Sequence, residues 1–257
     1  MWHTMNLRKL NSATKYPSIQ TYHALGRKGR LTEEVQVGFA SETVHVSEKV
    51  DGTNTRIIVA PDGRFIVGSR NDLLWHSTDL LFNPAQSIVE VLRPRVDGWL
   101  ARGTMVPREG ALRVFYGESY GGRITGASKN YSRAGATDFR LFDVMELPED
   151  ALRTVLSWNV EEIAAWREGG GQPFWDSRSL ESLGLPLTPQ LAIDGGVPMG
   201  HQAVLDWMTA LLPQSLCTLD DTGLGGPEGL IVRNRDRSRI AKIRFQDYRR
   251  TLNIRHP

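Results

Sequence analysis

The chain has 257 residues, of which 40% are hydrophobic and 23% charged, a balance typical of a globular protein with one large domain or two small ones. It contains no run of about 18 apolar residues and no secretory signal pattern, so the sequence predicts neither a membrane-spanning helix nor export. Cys217 is the only cysteine, which excludes an internal disulfide, fits a reducing, cytoplasmic environment and predicts a small buried side chain.

The net charge of +2 hides an uneven distribution along the chain. Residues 229–257 carry nine basic and two acidic side chains, whereas the rest of the chain is acidic overall. A basic segment on a mildly acidic body indicates either a polyanion partner or a solvated arginine-rich surface, and charge alone leaves both interpretations open.

Extended segments dominate the first half of the chain. Alternating or β-branched sequences predict strands over residues 34–40, 43–50, 54–60, 64–70, 111–122 and 138–147. A Pro-Asp-Gly turn between the third and fourth of these segments predicts a hairpin. Residues 84–102 have helical spacing, which we expect to be interrupted at Pro94 because proline removes a helical hydrogen bond.

Helices open the second half of the chain. Residues 157–170 predict a helix that is capped by Ser157 or Asn159 and ends in a glycine run, and residues 200–212 predict another. Residues 228–245 return to hairpin character, with a polar turn between two strands. These elements predict a single α+β domain dominated by antiparallel strands.

Lys49 is unusual because arginine supplies 25 of the 31 basic residues and lysine only six. Arginine stays protonated near neutral pH, whereas a lysine can act as a nucleophile when its pKa is depressed. Lys49 ends a predicted strand beside the Asp51-Gly52 turn, which is a suitable place to present an amine to a cleft.

The segment around this lysine, Glu-Lys-Val-Asp-Gly-Thr-Asn, resembles the Lys-x-Asp-Gly signature of the covalent nucleotidyltransferases: ATP-dependent DNA ligases, RNA ligases and mRNA capping enzymes. Five further motifs of that superfamily follow in its order, namely VGSRN with Arg70, VFYGE with Glu118, FRLFDV with Phe142 and Asp143, PEGLIVR with Glu228, and IAKIRF with Lys242 and Arg244. The ordered set carries the resemblance, since four residues alone recur by chance. It implies an antiparallel-sheet-rich, ATP-grasp-like nucleotidyltransferase domain spanning residues 1–257.

The resemblance implies a role for each polar motif. Lys49 would attack the α-phosphate of ATP, form lysyl–AMP and release pyrophosphate. The amine must be neutral to attack, and nearby positive charge lowers the pKa of a lysine. Lys242, Arg244 and a Mg²⁺ or Mn²⁺ ion would supply that charge and neutralise the phosphoryl oxygens. Glu228 would hold the metal, directly or through water, and Glu118 would bind the ribose or a metal-bound water.

The remaining motif residues are implied contacts of the nucleotide or of RNA. Phe142 would stack on the purine, and Glu48 would read the purine edge. Asn54 and Arg70 would contact nucleotide or RNA phosphates, a task that suits the bidentate fork of arginine. Asp143 is open between orienting a neighbour and pairing with an arginine.

The two ends of the chain bear on which superfamily member it resembles. Thirteen residues follow Arg244 and 48 precede Lys49, so we expect no OB-fold domain of the kind that DNA ligases and capping enzymes carry. This layout, with Asn54 two residues after the glycine, is most similar to RNA ligase 2-type ATP-dependent RNA ligases. The resemblance implies sealing of RNA 5′-phosphate and 3′-hydroxyl ends at duplex or hybrid nicks, in RNA repair, by an enzyme expected to be monomeric.

Two departures from that pattern affect the expected site. Arg244 stands where the superfamily usually has a second lysine, and we expect no separate C-terminal helical domain for gripping RNA. Arg249, Arg250, Arg255 and the hairpin 233–239 would take over RNA binding, with a strong salt dependence. A capping-type guanylyltransferase, a DNA ligase core acting with a partner subunit, and an RNA-end-binding module without catalysis remain as alternatives.

Overall fold

The structure, a computed structural model, describes residues 5–39, 43–76, 79–80, 87–193 and 195–254. The chain divides into two compact units. Unit 1 consists of Met1–Ser18, Gly52–Ser119 and Thr137–Pro186, and unit 2 consists of Ile19–Asp51, Tyr120–Ala136 and Leu187–Pro257. The single domain expected from the sequence stays a prediction.

Most of the strands of the described chain lie in its first half, and most of the helices lie in its second half. The strands are β1 (Gln20–Thr21), β2 (His23–Leu25), β3 (Leu31–Val35), β4 (Val44–Lys49), β5 (Thr53–Val59), β6 (Phe65–Ser69), β7 (Leu73–His76), β8 (Asp79–Leu80), β9 (Leu112–Gly121), β10 (Thr137–Leu147), β11 (Gln190–Ile193), β12 (Gly229–Arg233) and β13 (Ile240–Arg244). The helices are α1 (Leu7–Thr14), α2 (Ile88–Ala101), α3 (Glu149–Ser157), α4 (Val160–Glu168), α5 (Ser177–Glu181), α6 (His201–Leu211) and α7 (Phe245–Thr251).

Unit 1 is built on a six-stranded sheet with the strand order β10-β9-β5-β6-β7-β8. The predicted hairpin is confirmed, since β5 and β6 pair antiparallel around a turn in which Gly63 has a φ of 78°. The sheet packs on a core of aliphatic and aromatic side chains that includes Leu10, Ile58, Ile66, Leu112, Val114, Tyr116, Met145 and Leu147. Consecutive residues are buried along most of β5 and β9, so both faces of these two strands are covered.

The helices of unit 1 differ from the prediction at Pro94, and α1, α3 and α5 were not predicted. Helix α2 runs through Pro94 without a break. The apolar face of α2, with Leu92, Val96 and Trp99 buried, holds the helix in place despite the hydrogen bond that proline removes. Helix α4 begins as predicted, because Asn159 forms a capping box with Glu162.

Unit 2 is built on a five-stranded sheet with the strand order β1-β13-β12-β4-β11. The predicted hairpin over residues 228–245 is confirmed as β12 and β13, and β12 also pairs antiparallel with β4. Burial alternates along β4, where Val46 and Glu48 are buried while Ser47 and Lys49 are partly exposed. The buried face packs on a core formed by Tyr22, Val44, Val204, Leu205, Met208, Leu230, Val232, Ile243, Phe245 and Tyr248.

Two other predictions for unit 2 have clear outcomes. The strand predicted over residues 34–40 is wrong at residues 36–39, since β3 ends at Val35 and the chain bends at residues 36–37. Ala40 lies outside the described residues. Cys217 is buried beside Tyr131, as a small apolar residue should be. Among the described residues of the whole chain, no helix has the length and hydrophobicity needed to cross a membrane.

Candidate active site

Lys49 and Glu228 form a close ion pair in unit 2. Lys49 ends β4, and its Nζ lies 2.5 Å from Oε2 of Glu228. Glu228 directly precedes β12, which pairs with β4 so that Gly229 stands opposite Lys49. The Lys49 side chain is 25% exposed and the Glu228 side chain 15%. The pair is therefore partly shielded from water, and its two charges interact more strongly than they would at an open surface. Both side chains are still accessible to a ligand.

The carboxyl of Glu228 has a perturbed proton affinity. Burial raises the pKa of Glu228 above its ordinary value, and the charge of Asp51 acts in the same direction. The charges of Lys49 and Arg244 oppose the shift without cancelling it. Glu228 therefore takes up a proton more readily than an exposed glutamate does.

Lys242 and Arg244 lie on the same face of the sheet as Lys49. Gly229 is paired with Lys49 on one side and with Arg244 on the other, and residues directly opposed across antiparallel strands project to the same face. Lys242 precedes Arg244 by two residues and so shares this face. Since neighbouring strands are about 4.8 Å apart, the backbones of β4 and β13 are separated by roughly 10 Å. Three cationic side chains thus share one face with the Glu228 carboxylate beside them.

Gly229 allows β12 to fit between the two strands that carry these cations. A Cβ atom at Gly229 would lie 2.1 Å from the carbonyl oxygen of Ile243 and 2.8 Å from Cα of Arg244. Both distances are far below a normal contact, and both atoms belong to the backbone of β13. The glycine is therefore required by close backbone approach.

Asp247 orients Arg244. Its Oδ2 accepts a hydrogen bond from Nε of Arg244 at 2.7 Å, and its side chain is only 2% exposed. A carboxylate is tolerated in a buried position when it is paired with a cation, and here the pairing fixes the direction of the Arg244 guanidinium. Asp247 was not predicted from the sequence. Its position three residues after Arg244, in the first turn of α7, is the signal that could have indicated the contact.

Glu48 lies on the other face of the sheet from Lys49. Its Oε1 accepts a hydrogen bond from Oγ of Ser215 at 2.5 Å, and its Oε2 accepts one from the backbone N–H of Leu216 at 2.8 Å. The side chain is 1% exposed. These contacts tie β4 to the loop that leads towards Glu228, and the role of Glu48 at the purine edge stays a prediction.

Tyr131 holds the turn that follows Lys49. Its hydroxyl oxygen accepts a hydrogen bond from the backbone N–H of Asp51 at 2.5 Å, and its backbone carbonyl accepts one from Leu219 at 2.8 Å. The ring is fully buried against Tyr120. Tyr131 was not predicted from the sequence, because nothing local to it indicates a contact with a turn 80 residues away.

Asn54 and Glu118 stand opposite each other in unit 1. They form a directly opposed pair between β5 and β9. The Oδ1 atom of Asn54 is buried and has no hydrogen-bond partner among the described residues. A buried acceptor without a donor costs about 1–3 kcal/mol, so this oxygen is suited to a donor from a ligand or from water.

The remaining predicted residues of unit 1 lie on two other strands. Phe142 is partly buried on β10, and its ring packs in a T-shaped arrangement with that of Tyr16, with 5.0 Å between ring centroids. Asp143, whose role the sequence left open, is buried and accepts a hydrogen bond from the hydroxyl of Tyr16. Arg70 follows the end of β6 and is exposed.

The predicted RNA-binding arginines differ in their exposure and contacts. Arg250 is exposed at the end of α7, and the guanidinium of Arg249 lies 5.1 Å from the ring centroid of Phe245. In the hairpin 233–239, Arg233 is buried, whereas Arg239 is exposed and donates a hydrogen bond to the carbonyl of Gly38. Arg255 lies outside the described residues.

The sequence model of the RNA ligase family matches residues 42–244, well over half of the chain. The chain belongs to the RNA ligase family. The match extends from just before the Lys49 strand to Arg244, so it includes every motif from which the resemblance was inferred. Among curated proteins, none matches the chain.

Solved structures of Naegleria gruberi RNA ligase are similar to this family member. An apo variant has 15% identity and a TM-score of 0.54, covering 94% of this chain and 58% of that chain. A variant with ATP and Mn has 15% identity and a TM-score of 0.51, covering 93% and 65%. A variant with AMP and Mn has 15% identity and a TM-score of 0.52, with the same coverage.

This family member therefore spans less than two thirds of the length of those ligases. At such low identity the likeness concerns the fold, and it confirms the predicted α+β architecture rich in antiparallel sheet. The roles of individual residues have to be argued from the geometry of this chain.

Proposed function

We propose that this RNA ligase family member is an ATP-dependent RNA ligase that forms a lysyl–AMP intermediate on Lys49. The observation that carries the proposal is the face of the unit 2 sheet on which Lys49 contacts Glu228 and is accompanied by Lys242 and Arg244. The ATP and Mn named for the Naegleria gruberi structures support ATP and a divalent metal as its cofactors.

The first step joins Lys49 to the nucleotide. Nζ of Lys49 forms a bond to the α-phosphorus, the bond from that phosphorus to the bridging oxygen breaks, and pyrophosphate leaves. The ammonium must first lose a proton, and the Glu228 carboxylate at 2.5 Å is placed to accept it.

Lys242 and Arg244 stabilise the charge on the phosphoryl oxygens during this step. Arg244 uses Nε for Asp247, so its two terminal nitrogens are available for a bidentate contact with phosphate. A positioned cation at the site of developing charge lowers the barrier without having to reorganise during the reaction. Arg244 therefore supplies the positive charge for the phosphoryl oxygens at the position where the superfamily usually has a lysine.

A divalent metal fits the donor set around Glu228. The described residues contain no group of three or more His, Cys, Asp or Glu side chains placed to hold a metal. Magnesium and manganese sites in phosphoryl transfer commonly use one or two carboxylates, with water and substrate phosphates as the other ligands. Glu228 would supply one such oxygen, and the metal would neutralise negative charge on the phosphates.

Asn54, Glu118, Phe142 and Arg70 are the proposed contacts of the nucleotide or of the RNA end. The unpartnered Oδ1 of Asn54, opposite Glu118, supports a ligand role for this strand pair. In the later steps AMP passes to the RNA 5′-phosphate, and the 3′-hydroxyl then attacks that phosphate and releases AMP. Sealing of duplex or hybrid nicks, a monomeric state and a cytoplasmic location belong to the same proposal.

Labelling separates this proposal from its alternatives. The protein is incubated with magnesium and α-labelled ATP or GTP, separated under denaturing conditions, and then given a nicked RNA duplex. Label from ATP that is lost as the nick is sealed supports the RNA ligase. Label from GTP would indicate a guanylyltransferase, sealing confined to nicked DNA would indicate a DNA ligase, and absence of label on folded protein would indicate a binding module.

A further inference from the structure

Unit 2 brings together two basic segments that lie far apart in the sequence. A short turn at Arg27–Gly29 lies against the C-terminal end of α7. Arg250 donates a hydrogen bond to the carbonyl of Gly29 at 3.4 Å, and Arg30 donates one to Oδ1 of Asn253 at 2.7 Å. The cations of the turn and of the helix end therefore occupy one surface.

The backbone conformation of the turn leaves room for the Arg250 side chain. Lys28 and Gly29 have φ values of 56° and 69°, so two consecutive residues are left-handed. For a lysine this conformation costs about 1–2 kcal/mol. A Cβ atom at Gly29 would lie 2.6 Å from a terminal nitrogen of Arg250, so the glycine leaves the space that the guanidinium occupies. Such strain persists where the surrounding structure requires it, and it often marks a functional position.

Arg27, Lys28, Arg30 and Arg250, which we call the basic surface, have no acidic counterpart in the described part of the chain. All four side chains are exposed, and the partners of Arg30 and Arg250 are a neutral amide and a carbonyl. Like charges held together oppose folding unless an anion neutralises them. The dipole of α7 accounts for Arg250 at the helix C-terminus and leaves the three cations of the turn unexplained.

The acidic residues of the same segments do not neutralise this surface. Glu33 and Glu34 lie further along β3, and Glu33 pairs with Nδ1 of His201 at 3.3 Å. Asp247 of α7 is buried and bound to Arg244. The basic surface is therefore suited to an anion from outside the chain.

We propose that the basic surface binds the sugar–phosphate backbone of the RNA substrate. The proposal rests on the proposed ligase function for the identity of the polyanion. Helix α7 starts directly after Arg244, and six residues at about 1.5 Å per residue place Arg250 about 9 Å along the helix from Arg244. One RNA strand can thus contact Arg244 with a phosphate at its end and the basic surface with phosphates a few nucleotides away. Contacts of this kind position the strand without reading its sequence.

RNA affinity as a function of salt tests the basic surface. The variant Arg27→Ala/Lys28→Ala/Arg30→Ala is compared with the unaltered chain in binding to a nicked RNA duplex. We expect an affinity loss of about tenfold or more at low salt, and a slope of log affinity against log salt that is smaller by roughly 2–3, as for the loss of three phosphate contacts. A duplex of different sequence should show the same loss.

Two controls make the outcome decisive. The variant Arg27→Lys/Arg30→Lys keeps the charges and should keep most of the affinity and the slope. The variant Arg102→Ala/Arg108→Ala/Arg153→Ala removes three exposed arginines of unit 1 and should bind RNA like the unaltered chain. Unchanged affinity and slope in the triple alanine variant, with an unfolding midpoint that shows it to be folded, would overturn the proposal. So would an equal loss in the lysine variant.

The proposed function and the basic surface can fail independently. Formation of lysyl–AMP by the unaltered chain needs no RNA, so its absence would contradict the ligase and leave the binding comparison interpretable. If lysyl–AMP forms normally and RNA affinity does not depend on Arg27, Lys28 and Arg30, only the proposal that the basic surface binds RNA is contradicted.

Discussion

The ammonium of Lys49 and the carboxylate of Glu228 lie 2.5 Å apart, although 179 residues separate them in the chain. The contact exists because β12 pairs with β4 and brings the residue before Gly229 to the end of the Lys49 strand. In the proposed reaction this carboxylate both orients the nucleophile and accepts its proton.

Glu228→Gln removes the charge of the carboxylate and preserves its size. We expect formation of lysyl–AMP to slow by about 100-fold, because misplacement of a reacting group and loss of a proton acceptor each have effects of this order. The rate is measured from the growth of label on the protein. Glu228→Asp keeps a carboxylate and should be less impaired than the glutamine variant, and equal rates for Glu228→Gln and the unaltered chain would exclude Glu228 from the step.

Asp247→Ala should reduce lysyl–AMP formation through Arg244. Loss of the hydrogen bond at 2.7 Å frees the guanidinium, and loss of a group that orients an active-site ligand typically costs about 10–100-fold. Asp247→Asn keeps an acceptor for Nε and should recover part of the rate. Equal rates for Asp247→Ala and Asp247→Asn would contradict this positioning role.

Arg244→Lys should also be slowed, because lysine has no planar fork with which to contact Asp247 and a phosphate together. Asp247→Ala should then reduce the rate of lysyl–AMP formation less in the Arg244→Lys variant than in the unaltered chain, since the contact is already lost. The same labelling rate measures both changes. A full additional loss in the double variant would show that Asp247 acts on the reaction by another route.

Tyr131→Phe removes one hydroxyl from beneath the turn that follows Lys49. The backbone N–H of Asp51 then loses its acceptor, and we expect the free energy of unfolding to fall by about 1–3 kcal/mol. Lysyl–AMP formation should slow more than this loss of stability explains, because the turn no longer fixes the end of β4. Tyr22→Phe, which deletes a buried hydroxyl bonded to the carbonyl of Val197, is the control and should affect stability alone.

Gly229→Ala should destabilise unit 2 and displace Arg244 relative to Lys49. The new methyl group would lie 2.1 Å from the Ile243 carbonyl oxygen, and overpacking of this kind costs about 1–3 kcal/mol or more. Gly38→Ala is the matched control, since nothing lies within 4 Å of the position of its Cβ. Denaturant unfolding compares the two variants, and a Gly229→Ala protein as stable as Gly38→Ala would show that β12 and β13 tolerate separation.

Buried His23 should make the stability of the protein depend on pH below neutrality. Burial lowers the pKa of His23 from 6.5, although the hydrogen bond between its ring and the carbonyl of Met199 acts in the opposite direction. The unfolded chain then binds a proton that the folded chain does not, so the free energy of unfolding decreases as the pH falls from about 6.5 towards the lowered pKa.

Denaturant unfolding from about pH 7.5 down to about pH 5, in steps of roughly half a unit, measures this dependence. His23→Gln should be less stable at neutral pH because it loses core contacts, and its stability should change less over the same range. An identical pH dependence in the variant and the unaltered chain would assign the acid sensitivity to other groups.

Period-two alternation is a local property, and it allowed several strands to be predicted from the sequence, whereas the candidate site residues came from the family resemblance. Alternation identified the strand that ends at Lys49 and the hairpin that carries Lys242 and Arg244. The turn at Pro61-Asp62-Gly63 is equally local and was predicted correctly. The helical break at Pro94 was predicted wrongly, because burial of the apolar face of α2 outweighs the local effect of proline.

Contacts between distant segments could not be predicted in this way. The pairing of β4 with β12, the hydrogen bond between Tyr131 and Asp51 and the two hydrogen bonds from the 215–216 loop to Glu48 all depend on which strands and loops become neighbours. Sequence spacing does not encode these neighbours, since they follow from packing of the whole unit. The basic surface at Arg27–Arg30 was missed for the same reason.

Mapping of the nucleotide adduct tests the central proposal most directly. The protein is incubated with ATP and magnesium, digested, and the peptide that carries AMP is identified by mass spectrometry, with Lys49→Ala and Lys49→Arg as controls. The proposed mechanism predicts AMP on Lys49 in the unaltered chain and no adduct in either variant. AMP attached to another residue, or an adduct that persists without Lys49, would contradict it.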